Sequence, residues 1–261
     1  MQSLVEIITP LKDYRFVDTF REVSSENHFW FRWRFKAFLR QLRDLKVPID
    51  APLKVMDVGA GPGVLRDQIE THTEWTVDLT DLDYASLELA NPGRGSVYYY
   101  DVNERRAEWR ERYDAVLIFD VLEHVKPTRE FLESLLFHLR PGAFLFVNVP
   151  ALPVLFSRFD TVQGHFRRYN RKTLAGEFDG LGAEILDIRY WGTSNLPPLL
   201  LRKLWLNATA AGKTENEIFR RGFAPPSSLV NEAFSTIMKV ETSLVSKPIV
   251  GSSLLLAARK H

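Results

Sequence analysis

The chain has 261 residues, a formal net charge of +1, 45% hydrophobic and 26% charged side chains, and no cysteine. It is long enough to bury a full core, and its balanced charge excludes a global pull toward nucleic acid or anionic lipid, so any basic partner site must be local. The absent cysteines exclude disulfides and thiolate metal sites, and no window nears the roughly 20 apolar residues of a spanning helix. The opening MQSLVEIITPLKDYRF lacks the basic start and apolar run of a signal peptide, so the chain reads as cytoplasmic.

In chain order, Phe31, Phe35, Phe38, Leu42 and Leu45 recur at steps of four and three, which predicts a helix within Ser25 to Lys46. Arg32, Lys36, Arg40 and Arg43 fall roughly opposite, while Trp30, Trp33 and Ala37 form a flanking stripe. Pro48 and Pro52 close this region. From Leu53, the β-rich runs LKVMDVG, TVDLTDL, SVYYYDV, YDAVLIFD and AFLFVNVP alternate with the helical stretches GVLRDQIETH, YASLELAN and TREFLESLLFHL. Such alternation implies βαβ units and a parallel sheet covered on both faces, and AVLIF is apolar throughout, as a central parallel strand requires.

After Pro150 the pattern loosens into VLFSRFDTVQGHFRRYNRKTL, followed by a helix and a strand, AEILDIRYWG. A segment from Ser194 to Pro248 carries LPPLLLRKLWL, AGKTENE, GFAPPSS and a helical VNEAFSTIMKVETSLV, and SSLLLAARK reads as a last strand. The expected fold is α/β: a doubly wound, mostly parallel seven-stranded sheet. Residues 1–52 form an N-terminal helical lid, 53–193 the core with a loop at 151–180, 194–248 a helical insertion, and 249–261 the final core strand.

The first core strand runs into Asp57-Val58-Gly59-Ala60-Gly61-Pro62-Gly63, where a doubly wound sheet binds a nucleotide-like ligand. Glycines there permit a tight turn and close backbone approach, and the next helix start offers free N–H groups. Asp81 ends the second strand roughly 20 residues on, where a carboxylate can accept from ribose hydroxyls. A nicotinamide dehydrogenase would show G-x-G-x-x-G, but Val64 stands at the third glycine position, so hydride transfer is disfavoured. Asp101 and Asp120 end the next two strands, giving four successive strand ends that point to one ligand edge. A single such Asp would read as a helix cap.

At these residues the sequence resembles the class I S-adenosylmethionine-dependent methyltransferases. The motifs are VMDVGAGPG, LTDLD, YYDVNE, FDVLEHV and LRPGAFLFVNVP, in order from about Leu53 to Pro150. The resemblance implies a Rossmann-like methyltransferase fold with S-adenosyl-L-methionine as methyl donor. Gly59 and Gly61 would pass the methionine part, with Asp57 supporting that loop. Asp81 would take the ribose hydroxyls, Leu82 would pack on adenine, and Asp101 would accept from the adenine amino group beside Val102. Asp120 and Val121 would lie near the methionine amino end. Ala143, where many relatives carry a second glycine, is a mild departure in a turn.

Methyl transfer from a sulfonium needs alignment first, and a general base only where the acceptor carries a proton. Two histidines qualify. His165 lies in QGHFRRYNRKTL, a segment resembling one in a bacterial subfamily, and is read as base or substrate ligand. His124, after the fourth strand, is common in the family whatever the substrate, so a structural role stands beside a catalytic one. Arg168 offers its fork of donors to a carboxylate or phosphate, with Tyr169 beside it. Asp120, Glu123, His124 and His165 form a set that related E-x-x-E-H enzymes use for a divalent ion, an alternative weighed and not adopted.

Acceptor pockets in this class are built from about 1–50, 151–180 and 194–248. Trp30 and Arg34 would face the site from the lid helix, and the leucines of LPPLLLRKLWL would form an acceptor wall, a dimer contact, simple core packing or a peripheral membrane contact. Motifs shared with the subfamily, HFWFRWR, GHFRRY and PxxGSSLLLAARK, favour a small-molecule acceptor such as a specialised metabolite or a cell-envelope glycan or lipid precursor, methylated at O or N by a monomer or homodimer. An RNA methyltransferase and a non-catalytic binding subunit remain as alternatives; near-neutral charge weighs against the first, and an intact cofactor motif against the second.

Overall fold

Seven runs that the sequence marks as strands hydrogen-bond into one sheet in the computed structural model, which describes residues 4–12, 28–209, 214, 217–218, 227–245 and 247–261. They are β2 (Lys54–Val58), β3 (Thr76–Asp81), β4 (Val97–Tyr99), β5 (Tyr113–Phe119), β6 (Leu139–Pro150), β7 (Ala183–Trp191) and β8 (Ser253–Lys260). An eighth, β1 (Val5–Ile7), pairs in parallel with β4 at the edge. The sheet therefore has eight strands in the order β1-β4-β3-β2-β5-β6-β8-β7, not seven. The extra strand is three residues long, too short for alternation along the chain to reveal it. β8 is antiparallel to both β6 and β7, and the other pairs are parallel.

The strand order reverses at β2, which lies between β3 and β5, so a crevice opens at the carboxyl ends of these strands. Helices cover both faces. On one side α1 (Phe29–Asp44) and α2 (Val64–His72) pack with α8 (Ser228–Leu244); Phe38, Leu42, Ile69 and Met238 are buried there with Val55, Leu117 and Leu255. On the other side α4 (Thr128–His138) and α6 (Arg171–Gly176) set Phe131, Leu135 and Leu174 against Met56, Val116 and Leu256. Three more helices are α3 (Tyr84–Leu87), α5 (Arg158–Val162) and α7 (Leu196–Thr209).

Helix α1 begins where His28 Nδ1 accepts from the backbone N–H of Trp30 at 3.2 Å, satisfying one orphan donor of the first turn. Its predicted apolar face is buried: Phe31, Phe35, Phe38 and Leu42 are each at most 4% exposed. Trp33, from the flanking stripe, is buried as well, edge-on to Trp191 with its indole donating to Thr242 Oγ1 at 3.2 Å. The helix is a layer of the core, and its first turn plus Arg34 reach the crevice. Much of AGKTENE and GFAPPSS, and residues 13–27 ahead of α1, lie outside the described residues. Among the described residues, no helix is long and apolar enough to cross a membrane.

Candidate active site

The turn after β2 exists because three glycines adopt left-handed backbone: φ is +71° at Gly59, +55° at Gly61 and +80° at Gly63. At Gly59 a Cβ would also stand 2.5 Å from Val121 Cγ2, so a side chain there would have to push the β5 loop away. The loop is pinned to β3: Gly59 N donates to Thr80 O at 2.8 Å, and Gly61 N to Asp81 Oδ2 at 2.7 Å. Asp81 Oδ1 also accepts from Asp83 N at 2.8 Å, leaving lone pairs on the same carboxylate for a ligand. Burial pushes the Asp81 carboxyl above its ordinary range.

This turn forms one end of a cavity of about 620 Å³ that runs from the β3 and β4 ends, past β5, to the 151–180 loop and α7. Asp57, Gly59, Gly61, Asp81, Leu82, Asp101, Val102, Asp120 and Val121 all line it. Asp57 is 2% exposed, and its Oδ2 is buried with no hydrogen-bond partner. Burial raises its carboxyl to about 7, which Arg34 opposes and Asp81 reinforces. Asp101 accepts from Asn103 N and Nδ2 at 3.0 Å and from Lys12 Nζ at 2.6 Å. Burial raises its pKa, but the Lys12 hydrogen bond and the other donors outweigh that, and the net shift is downward.

Asp120 adopts φ +60°, a left-handed conformation that Asp tolerates. Its Oδ2 receives Arg34 Nη1 at 2.7 Å and its Oδ1 receives Asn148 Nδ2 at 2.7 Å; Asn148 Oδ1 in turn accepts from the Trp191 indole at 2.8 Å. Arg34, 6% exposed, is sandwiched near the rings of Phe31 and Phe119. Trp30 lines the cavity with its ring 4.8 Å from that of Trp191. Phe234 from α8 joins Trp30 in the wall.

At the other end His165 stands edge-to-face with His124, ring centroids 4.6 Å apart. His165 Nδ1 is 3.2 Å from Asp160 Oδ1, and Nε2 faces Glu123 Oε1 at 3.9 Å, too far for a hydrogen bond. Glu123 is wholly buried with neither carboxylate oxygen hydrogen-bonded; burial, with Asp120 nearby, drives its pKa well above the ordinary range. Burial, then His165, lowers His124 to about 3, so its imidazole is neutral. Ligand atoms of Glu123, His124 and His165 lie within 4.8 Å of one another, whereas Asp120 is committed to Arg34 and Asn148 and stands outside that group.

Arg168 also lines the cavity, but two of its donors are used inside the protein: Nε to Asp160 Oδ1 at 2.6 Å and Nη1 to Ala151 O at 3.1 Å. Tyr169 corrects the sequence reading. It is 1% exposed and absent from the cavity wall, because a parallel bridge to Ala151 turns its side chain into the core layer under α6, where the hydroxyl meets Glu177 Oε1 at 3.4 Å. LPPLLLRKLWL divides: Pro198, Leu199 and Arg202 face the cavity, with the Arg202 guanidinium 4.0 Å over the Phe159 ring, while Leu200, Leu201 and Leu204 are about half exposed or more. Sequence reasoning passed over Asp160, Asn148, Lys12 and Phe234. Of these only Asp160 carried a local signal, the Ser157-x-x-Asp160 capping-box spacing.

Known proteins agree with this architecture. A family model described as a methyltransferase domain matches residues 30–188. A ubiquinone biosynthesis O-methyltransferase of Chelativorans sp. is 28% identical over 99 residues, covering 36% of this chain and 39% of that protein. The chain thus matches well under half the length of that curated relative. The S-adenosylmethionine-dependent methyltransferase of Mesorhizobium loti superposes with a TM-score of 0.54 at 13% identity, over 86% of this chain and 98% of the other. A phosphoethanolamine N-methyltransferase of Haemonchus contortus, solved with S-adenosylhomocysteine, gives 0.53 at 17% identity over 86% and 52%. The family match spans the glycine turn, every acidic strand end and the loop of His165, and the solved structures share the fold of S-adenosylmethionine-dependent methyltransferases: the chain belongs to the methyltransferase-domain family.

Proposed function

We propose that the chain transfers a methyl group from S-adenosylmethionine to a hydroxyl oxygen of a small acceptor with an apolar body, and that His165 is the general base. The observation that carries this reading is the continuity of one cavity from the Gly59–Gly61 turn and Asp81 to His165. Its volume of about 620 Å³ is that of a small-molecule site.

The residues at the turn fit the cofactor on their own chemistry. Gly59 leaves the backbone open to close approach, Asp81 keeps acceptor capacity for ribose hydroxyls, and the buried, unpartnered Asp57 Oδ2 suits a cationic group. Asp101 would accept from the adenine amino group, sharing with or displacing Lys12, while Leu82 and Val102 flank the ring. Asp120, held by Arg34 and Asn148, would face the methionine end beside Val121. Once bound, the cofactor supplies a methyl on a sulfonium, already a good leaving group.

The acceptor would occupy the remainder, between Trp30, Phe159, Leu199 and Phe234, which exclude water and grip an apolar body. His165 Nε2 would take the hydroxyl proton as the new O–C bond forms. Glu123 beside it, its oxygens free of other hydrogen bonds, can accept from an acceptor hydroxyl or, when protonated, donate to its oxygen. The curated relative's name, an O-methyltransferase of ubiquinone biosynthesis, supports an oxygen acceptor.

The test uses S-adenosylmethionine tritiated on the methyl, with 4-alkylphenols of rising chain length and the matching 4-alkylanilines. Label should enter the phenols, faster with the longer chains. Transfer to the anilines but not the phenols would overturn the oxygen assignment.

A further inference from the structure

We infer that Asp160 is a positioning residue for His165: its carboxylate holds the imidazole proton on Nδ1, so that Nε2 is the nitrogen left to take a proton from the cavity. This rests on the base role proposed for His165, and it concerns a residue that the cofactor motifs do not include.

A neutral imidazole carries one N–H, and the partner of each nitrogen decides which one. Asp160 is fully buried and can only accept. Its Oδ2 receives Ser157 N at 2.8 Å and Ser157 Oγ at 2.9 Å, while its Oδ1 receives Arg168 Nε at 2.6 Å. Burial by itself would raise its pKa, but hydrogen bonds from His165 and Arg168 hold it well below the usual carboxylate range, so it stays ionised. His165 Nδ1, 3.2 Å from Oδ1, must therefore be the protonated nitrogen.

The two oxygens divide the work. Capping the first turn of α5 uses Oδ2, and Oδ1 is not needed for that; it binds His165 and Arg168. Arg168 Nη1 continues to Ala151 O just beyond β6, and His165 N donates to Asp160 O at 2.9 Å. The imidazole is thereby tied at ring and backbone to the end of the sheet. Ser157, Asp160, His165 and Arg168 fall within twelve residues, so one loop supplies base, orienter and both supports.

Asp160→Asn tests the assignment sharply. Ser157 N and Arg168 Nε each give a fixed N–H to one of the two oxygens, so neither orientation of the amide satisfies both; the charged acceptor that holds the proton on Nδ1 is lost, and the proton is free to move to Nε2. Nitrogen-15 NMR of histidine-labelled full-length protein, with His165 assigned from a His165→Ala spectrum, should show the Nδ1–H form in wild type and its loss in Asp160→Asn. On whichever 4-alkylphenol the wild type methylates, kcat should fall about 100-fold, with affinity for S-adenosylmethionine within twofold by calorimetry. An Nε2–H form in wild type overturns the proposal even if the variant does not fold. So does an unchanged tautomer, or unchanged kcat, in a folded Asp160→Asn. Full turnover in His165→Ala with the Nδ1–H form intact would sink the base reading alone.

Discussion

The two ends of the cavity are built in different ways. At the cofactor end each group sits at the carboxyl end of a strand or in the turn that follows, and neighbouring strands fix their separation: Asp57 on β2, Asp81 on β3, Asp101 after β4, Asp120 after β5. At the other end the wall comes from α1, the 151–180 loop, α7 and α8, elements as far apart in sequence as Phe29 and Phe234, whose rings stack at 5.2 Å. A regular sheet positions the first set, and tertiary packing the second. Sites of this kind keep a constant cofactor geometry while the acceptor wall is free to change.

If the two ends are separable, single substitutions should split binding from turnover. The largest effect is expected from His165→Ala, with kcat down by about 10² to 10⁴ and S-adenosylmethionine affinity unchanged in a calorimetric titration. Asp81→Ala should do the reverse: loss of charged hydrogen bonds to the ribose weakens the cofactor by about 10- to 100-fold, while turnover at saturating cofactor stays near wild type. If both variants lose binding and turnover together, the separation fails.

A smaller effect concerns pH. Asp57 has its carboxyl raised to about 7 in the free protein, so below that value it is mostly protonated and must give up its proton to meet a cationic ligand. Cofactor affinity should therefore rise with pH, by about tenfold between pH 6 and 8; in Asp57→Asn that component should vanish. Identical slopes in the two proteins would remove Asp57 from the cofactor's charge balance. The smallest effect is expected from metal removal: exhaustive dialysis against EDTA should leave methyl transfer within twofold. Loss of activity restored by a divalent ion would turn the cluster of Glu123, His124 and His165 from a proton-handling site into a metal site.

The same contrast governs what the sequence discloses. Parallel strands with apolar interiors and acidic ends are written in runs of seven or eight residues, so the core strands and the glycine turn could be placed from spacing and resemblance, and the nine residues named on them line one cavity. The helix of Phe31, Phe35 and Phe38 was legible from its period. That α8 and Trp191 would cover the flanking stripe and bury Trp33 was not, because those partners lie 150 or more residues away. Tyr169 shows the limit at short range: in GHFRRY the arginine reaches the cavity and the tyrosine turns inward, a choice set by the bridge to Ala151. Lys12 on Asp101 and Asn148 on Asp120 are polar contacts across 89 and 28 residues, and neither position stands out in its own neighbourhood.

The central claim is that the cofactor end presents its reactive group to His165 within one cavity. A crystal structure with S-adenosylhomocysteine bound measures this directly. The account predicts adenosine between Asp81 and Asp101, and a sulfur pointing along the cavity toward His165 Nε2, with room between them for a methyl group and an acceptor oxygen. A sulfur directed away from His165, or walled off from it by Glu123 and His124, would contradict it.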